Sequence, residues 1–183
     1  MVVGILALQG AFREHVDMLK GLHIETRLIR KSDELDHIDG LILPGGESTA
    51  MMKLLTETGL KKPLSDKISN GLPTWGTCAG MILLSKSHLD LMKIDVLRNA
   101  YGNQSGSFKV KADLGKILDY PQVFIRAPYI KASADHVDVL SVVKGHIVAA
   151  RESHMLATSF HPELTNDTRI HEYFIDMIKA SCE

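Results

Sequence analysis

Cys78 sits in Gly76-Thr77-Cys78-Ala79-Gly80, and His161 opens His161-Pro162-Glu163 more than eighty residues later. A cysteine between small residues, where a strand is expected to pass into a helix, is placed for nucleophilic attack. The helix N-terminus favours a thiolate through its partial positive charge. The Ala79 N–H, first of that helix, has no intrahelical partner and can meet a developing oxyanion. This arrangement parallels the Gly-x-Ser-x-Gly elbow of hydrolases, with sulfur replacing oxygen. His161 ends an apolar run, residues 155–160, that reads as a strand. Its imidazole can take the thiol proton and later return one to a leaving amine. In extended chain, Glu163 at i+2 would project to the same side and meet the other ring nitrogen, with Pro162 stiffening the link. Thiol, imidazole and carboxylate together specify acyl transfer. Zinc is the competing use of Cys and His, but neither Cys-x-x-Cys nor His-Glu-x-x-His spacing occurs, so no metal is expected.

A third segment carries chemistry. Pro44-Gly45-Gly46-Glu47-Ser48-Thr49 follows a short apolar run and opens a helix. Gly46 can present a second oxyanion donor. Glu47 and Ser48 are placed to read an ammonium or amide; Ser48 or Thr49 equally suits the helix N-cap. The loop lacks the Gly-Lys-[Ser/Thr] end of a phosphate cradle.

The elements that must position these groups follow from periodicity. Residues 2–8, 24–29, 40–43 and 73–77 read as strands, and residues 12–22, 48–58, 63–70 and 79–85 as helices, with Pro63 at a first helical position. Such alternation predicts an α/β fold, a mostly parallel central sheet with helices on both faces. Residues 107–110, 122–125, 137–143 and 146–150 read as short strands forming an antiparallel or mixed extension, and residues 168–181 as a final amphipathic helix. With 183 residues and no evident linker, the expectation is one domain, residues 1–183. A formal net charge of −1 gives no footprint of a nucleic-acid binder. No apolar run is long enough to span a membrane, and the apolar start has no basic n-region or cleavage site. Two cysteines far apart in sequence and no export signal favour a reducing cytoplasm.

These segments, extended from end to end, resemble the triad-type (class I) glutamine amidotransferases, whose flavodoxin-like domain is a three-layer α/β sandwich. Within them the match is to the glutaminase subunits of pyridoxal 5′-phosphate synthase, the PdxT/SNO family. The segments that carry it are Ala7-Leu8-Gln9-Gly10-Ala11, Pro44-Gly45-Gly46-Glu47-Ser48, Gly76-Thr77-Cys78-Ala79-Gly80, Arg98-Asn99-Ala100-Tyr101-Gly102, Ile125-Arg126-Ala127-Pro128 and His161-Pro162-Glu163. The resemblance implies hydrolysis of L-glutamine to glutamate and ammonia, and a barrel-shaped synthase subunit (the PdxS family) that receives the ammonia within a large hetero-oligomer. It implies no bound metal or organic cofactor. By motif position Cys78 is nucleophile, His161 base and Glu163 orienter; Gly46 and Ala79 form the oxyanion hole. Gly46, Glu47, Ser48, Arg98, Ile125 and Arg126 line the glutamine site. An arginine fork suits the substrate α-carboxylate, and Arg126, within an apolar strand, is less readily a solvated surface arginine than Arg98. Gln9 would support the oxyanion loop or face the synthase. Two segments depart from the family pattern: Gly102-Asn103-Gln104 stands where Gly-Arg-Gln is usual, and residues 85–96 are short. Another amidotransferase or a cysteine peptidase would share the elbow and differ in product; a regulatory subunit without turnover would not need Cys78.

Overall fold

The computed structural model describes residues 1–98 and 106–182. Asn99 to Gly102 and Asn103 lie outside the described residues. The first half alternates as expected: β1 (Val2–Leu6), α1 (Phe12–Gly21), β2 (Glu25–Ile29), β3 (Gly40–Leu43), α2 (Ser48–Glu57), α3 (Lys61–Ser69), β4 (Thr74–Thr77) and α4 (Ala79–Leu84). Then follow β5 (Ile94–Leu97), β6 (Ser107–Leu114), β7 (Ile117–Ile125), β8 (Tyr129–Ser133), β9 (Asp138–Val143), β10 (His146–Glu152), β11 (Met155–Thr158) and α5 (Arg169–Ser181). The main sheet runs β2-β1-β3-β4-β11-β10-β8-β5, with β9 paired to β10. The pairs from β2 through to β11 are parallel, and those beyond are antiparallel.

Side-chain alternation builds a core on each face of this sheet. Val3, Ile5, Ile42, Trp75 and Leu156 point to one face and pack with Leu19 of α1 and Phe174, Ile175 and Ile178 of α5. Leu41, Leu43, Met155 and Ala157 point to the other and pack with Met51 and Leu55 of α2, Leu64 and Ile68 of α3, and Met81 and Leu83 of α4. These strands are buried on both faces, which is why β1, β3 and β11 read as largely apolar runs, while β4 buries Thr74 and Thr77 beside Trp75. The result is the three-layer arrangement expected from the sequence.

The second half departs from expectation. Residues 107–110 and 122–125 belong to longer strands, β6 and β7, which pair with each other in a separate antiparallel hairpin. Within it Phe108 stacks on Phe124, and Phe124 packs the hairpin onto the main body by meeting Phe160, just past β11, edge-on. Strands β5 and β8 carry little periodic signal and have no counterpart in the sequence reading. Helix α3 starts two residues before Pro63, whose missing N–H falls in the first turn, where no intrahelical acceptor exists. No helix among the described residues is long and apolar enough to cross a membrane.

Candidate active site

Because β1, β3, β4 and β11 are parallel, their carboxyl ends share one edge of the sheet. The strand order also reverses there, with β1 between β2 and β3. Open α/β sheets gather ligands at such a switch point. The segments that hold Gln9, Gly46, Cys78 and His161 each follow one of these ends, while Arg98 follows β5 and Arg126 follows β7 of the hairpin.

Cys78 joins β4 directly to α4. Its backbone has φ 48° and ψ −104°, a conformation that costs a non-glycine residue about 1–3 kcal/mol. The surroundings enforce it. Cys78 N donates to Thr158 O of β11 at 2.8 Å. A Cβ on Gly80 would overlap the Leu43 carbonyl, and one on Gly76 would press on the Gly80 backbone. Only glycines let the elbow lie this close to β3 and to its own helix. Helix α4 is six residues long, and Ala79 supplies its first N–H.

His161 follows β11 and is anchored by its N–H to Val123 O of β7 at 2.8 Å. Its Nδ1 lies 2.6 Å from Glu163 Oε1, and both residues are buried. The route to this contact differs from the expected extended chain. Pro162–Leu164 forms a 3-10 turn capped by His161, with Pro162 at its start. The sharp turn, and not strand alternation, brings the carboxylate back to the ring. Burial opposes a charged imidazole, yet hydrogen bonds to Cys78 and Glu163 outweigh it and lift His161 to about 10. With Nδ1 committed to Glu163, Nε2 is the nitrogen left for the thiol.

The glycine loop is fixed from the β1 side. Ala11 N donates to Gly45 O at 2.9 Å, and Glu47 N donates to Gln9 Oε1 at 2.9 Å. Gln9 therefore supports the loop. The cap of α2 falls to Glu47, not to Ser48 or Thr49: its carboxylate accepts from Thr49 N at 3.0 Å and Ala50 N at 2.7 Å. Those two N–H groups, with lesser help from Arg98, hold the Glu47 carboxyl below its usual range. Ser48 is buried, and its Oγ has no partner among the described residues. Arg98 donates to Glu47 Oε1 and to Thr49 Oγ1. Arg126 lies just past β7 with φ 44°, exposed, and not within the strand as expected. Its N–H bonds Gly106 O, which helps hold that turn.

Gln9, Gly46, Glu47, Ser48, Cys78, Ala79, Arg98, Ile125, Arg126, His161 and Glu163 all line one cleft of about 750 Å³. Ala11, Ile82, Ser107, Pro128 and Leu164 complete the lining and carried no sequence signal as site residues. Behind the cleft lies His15 of α1, fully buried, its Nε2 3.5 Å from Glu163 Oε2. Its spacing from Phe12 and Leu19 marks the buried helix face, a signal the sequence reading passed over. Among the described residues no group of three or more His, Cys, Asp or Glu could hold a metal.

Known proteins resemble this chain over nearly its whole length. A chain of Dehalococcoides mccartyi named pyridoxal 5′-phosphate synthase subunit PdxT is 51% identical, covering 98% of each chain. One of the same name from Ruminiclostridium cellulolyticum is 48% identical over 96% of this chain and 98% of its own. A crystal structure of a glutamine amidotransferase superposes with a TM-score of 0.93 at 40% identity, covering 98% of this chain and 100% of its own. Residues 5–180 match the family described as SNO glutamine amidotransferases. That span holds every segment that builds the cleft, from the end of β1 to the helix beyond Glu163, and the chain belongs to this family.

Proposed function

We propose that the protein hydrolyses L-glutamine to L-glutamate and ammonia and passes the ammonia to a synthase subunit that makes pyridoxal 5′-phosphate. The buried, hydrogen-bonded Glu163–His161 pair, lining the same cleft as Cys78, carries this reading. The names of the PdxT relatives support the pathway.

In the proposed cycle the Cys78 thiolate attacks the side-chain amide carbon of glutamine. The carbonyl oxygen takes the negative charge and is met by the N–H groups of Gly46 and Ala79. Imidazolium His161 gives its proton to the amide nitrogen, the C–N bond breaks, and ammonia leaves. Neutral His161 then takes a proton from water, whose oxygen attacks the thioester. The second tetrahedral intermediate collapses to glutamate, and the thiol is restored. Arg98 and Arg126, at the rim, have the charge to hold the substrate α-carboxylate. Residues 1–183 act as a single glutaminase domain, and its free thiols, Cys78 and Cys182, suit a reducing cytoplasm.

Ammonia released from an undocked subunit is lost to solvent, so a barrel-shaped synthase partner is expected to raise turnover. The Gly45-Gly46 loop, tied to Ala11 and Gln9, is the element such a partner would set. The decisive experiment measures glutamate release from glutamine by wild type and Cys78→Ala, alone and with the synthase from the same cell. Release that requires Cys78 and rises with the partner supports the proposal. Cys78-dependent release indifferent to the partner overturns the gating. No release in any combination overturns the glutaminase reading in favour of a regulatory subunit.

A further inference from the structure

Behind the triad lies a line of buried polar groups that the cycle above does not use. Glu163 Oε1 accepts from His161 Nδ1, but Oε2 is buried and makes no hydrogen bond among the described residues. Facing that oxygen at 3.5 Å is Nε2 of His15, and both side chains are fully excluded from solvent. The same Nε2 is 3.4 Å from Thr77 Oγ1, one residue before the nucleophile. On its other side, His15 Nδ1 lies 3.1 Å from His171 Nε2 of α5. Trp75 of β4 sets its edge against both rings.

The proton positions follow from this geometry. Burial, then the neighbouring His171 and His161, hold His15 well below the usual imidazole range, and burial holds His171 at about 4. Both rings are neutral at pH 7, so each carries one N–H. Two arrangements let them share a hydrogen bond. If His15 Nδ1–H donates to His171, a bare His15 Nε2 lone pair faces the Glu163 carboxylate. His171 must then carry its proton on Nδ1, which has no partner among the described residues. That arrangement combines repulsion with an orphaned buried donor. If His171 Nε2–H donates to His15 Nδ1, only an acceptor lone pair on His171 goes unpaired. His15 then turns an N–H towards Glu163 and Thr77. The second arrangement is the favoured one.

We infer that His15 is a positioning residue of the triad: its Nε2–H holds the free oxygen of Glu163, and through it the His161 ring, while His171 fixes the tautomer that makes this possible. The proposal rests on the glutaminase reading and adds a residue to it. At 3.5 Å the contact is long for a hydrogen bond, with the N–H shared between two acceptors. Such contacts tighten as substrate engages the site. The consequence for the molecule is a continuous polar connection from α5, through α1, to the nucleophile.

The test separates the two ends of the imidazole. His15→Gln places an amide N–H near the position of Nε2, facing Glu163. His15→Asn places one near Nδ1, facing His171 only, and His15→Leu removes both. Glutamine kcat and KM are measured for each, alone and with the synthase subunit, beside thermal unfolding. In Leu and Asn kcat is expected to fall about 10- to 100-fold, the cost of a buried charged group left without its donor. His15→Gln is expected to recover most of it, with KM unchanged throughout. Equal kcat in the Gln and Asn variants, or losses that simply follow melting temperature, would overturn the role. Wild type and Cys78→Ala are run alongside: absence of Cys78-dependent release overturns the glutaminase reading and this proposal together. Cys78-dependent release with equal Gln and Asn rates overturns this proposal alone.

Discussion

Arg98 reaches across the mouth of the cleft to Glu47, Nη2 to Oε1 at 3.1 Å, while the same carboxylate caps α2. One side chain thus ties the rim arginine to the first turn of a helix. The pair is half exposed and adds little stability by itself, so its value lies in where it holds the guanidinium.

Glu47→Ala is expected to lower stability by about 1 kcal/mol through loss of the cap, and to raise the KM for glutamine by freeing Arg98. Glu47→Asp keeps a capping carboxylate but falls short of Arg98, so its KM should rise with little change in melting temperature. Steady-state kinetics beside thermal melts separate the two effects. An unchanged KM in both variants would remove this pair from substrate recognition.

Stability should fall at both ends of the pH scale, through different histidines. His161 is raised in the fold from 6.5 to about 10, so its contribution is complete below 6.5 and lost as pH rises through about 10. His15 and His171 are depressed, His171 to about 4, so their contribution is present above 6.5 and lost as pH falls through the folded value. Urea unfolding from pH 4 to about 10 would show this, and His161→Asn should remove much of the alkaline loss. A wild-type curve flat above pH 7 would contradict it.

Glu163→Gln keeps the shape of the side chain but removes the charge opposite His161 Nδ1. The comparable change in a serine triad costs about four orders of magnitude in kcat through the wrong tautomer, and a similar loss in glutamate release is expected. Thermal stability should change far less than activity. A loss below about tenfold would show that Glu163 does not orient the imidazole.

Two glycine-to-alanine changes should move stability in opposite directions. Gly21 closes α1 with nothing among the described residues within 4 Å of a new Cβ, and Gly21→Ala is expected to stabilise by about 0.4–1 kcal/mol without touching activity. Gly80→Ala would drive a methyl into the Leu43 carbonyl and should prevent folding or displace the elbow. Denaturation midpoints and soluble yield report both.

The parallel half of the fold was legible because doubly buried strands must be apolar and their helices must be amphipathic. Residues 40–43 show this most plainly, with strand and sequence run coinciding. Strands β5 and β8 were not legible: four or five residues with polar members, paired antiparallel near the sheet edge, leave no period to find. The site residues were legible as motifs, but their geometry was not. Pro162 suits an extended link and a first helical position equally well, so residues alone could not separate a strand end from the 3-10 turn. Glu47 went unread as a cap because serine and threonine beside it are the commoner choices. His15 went unread because one of nine histidines, on a helix, is ordinarily a surface residue.

The backbone at Cys78 sets catalysis against heat resistance at a single position. A β-carbon at φ 48° and ψ −104° is strained whatever it carries. The usual order of replacements should therefore invert, with Cys78→Gly melting above Cys78→Ala although glycine ordinarily loses more freedom on folding. Breeding this chain for thermal endurance alone would drift towards an inert glycine at the elbow, and only selection for turnover keeps the thiol there.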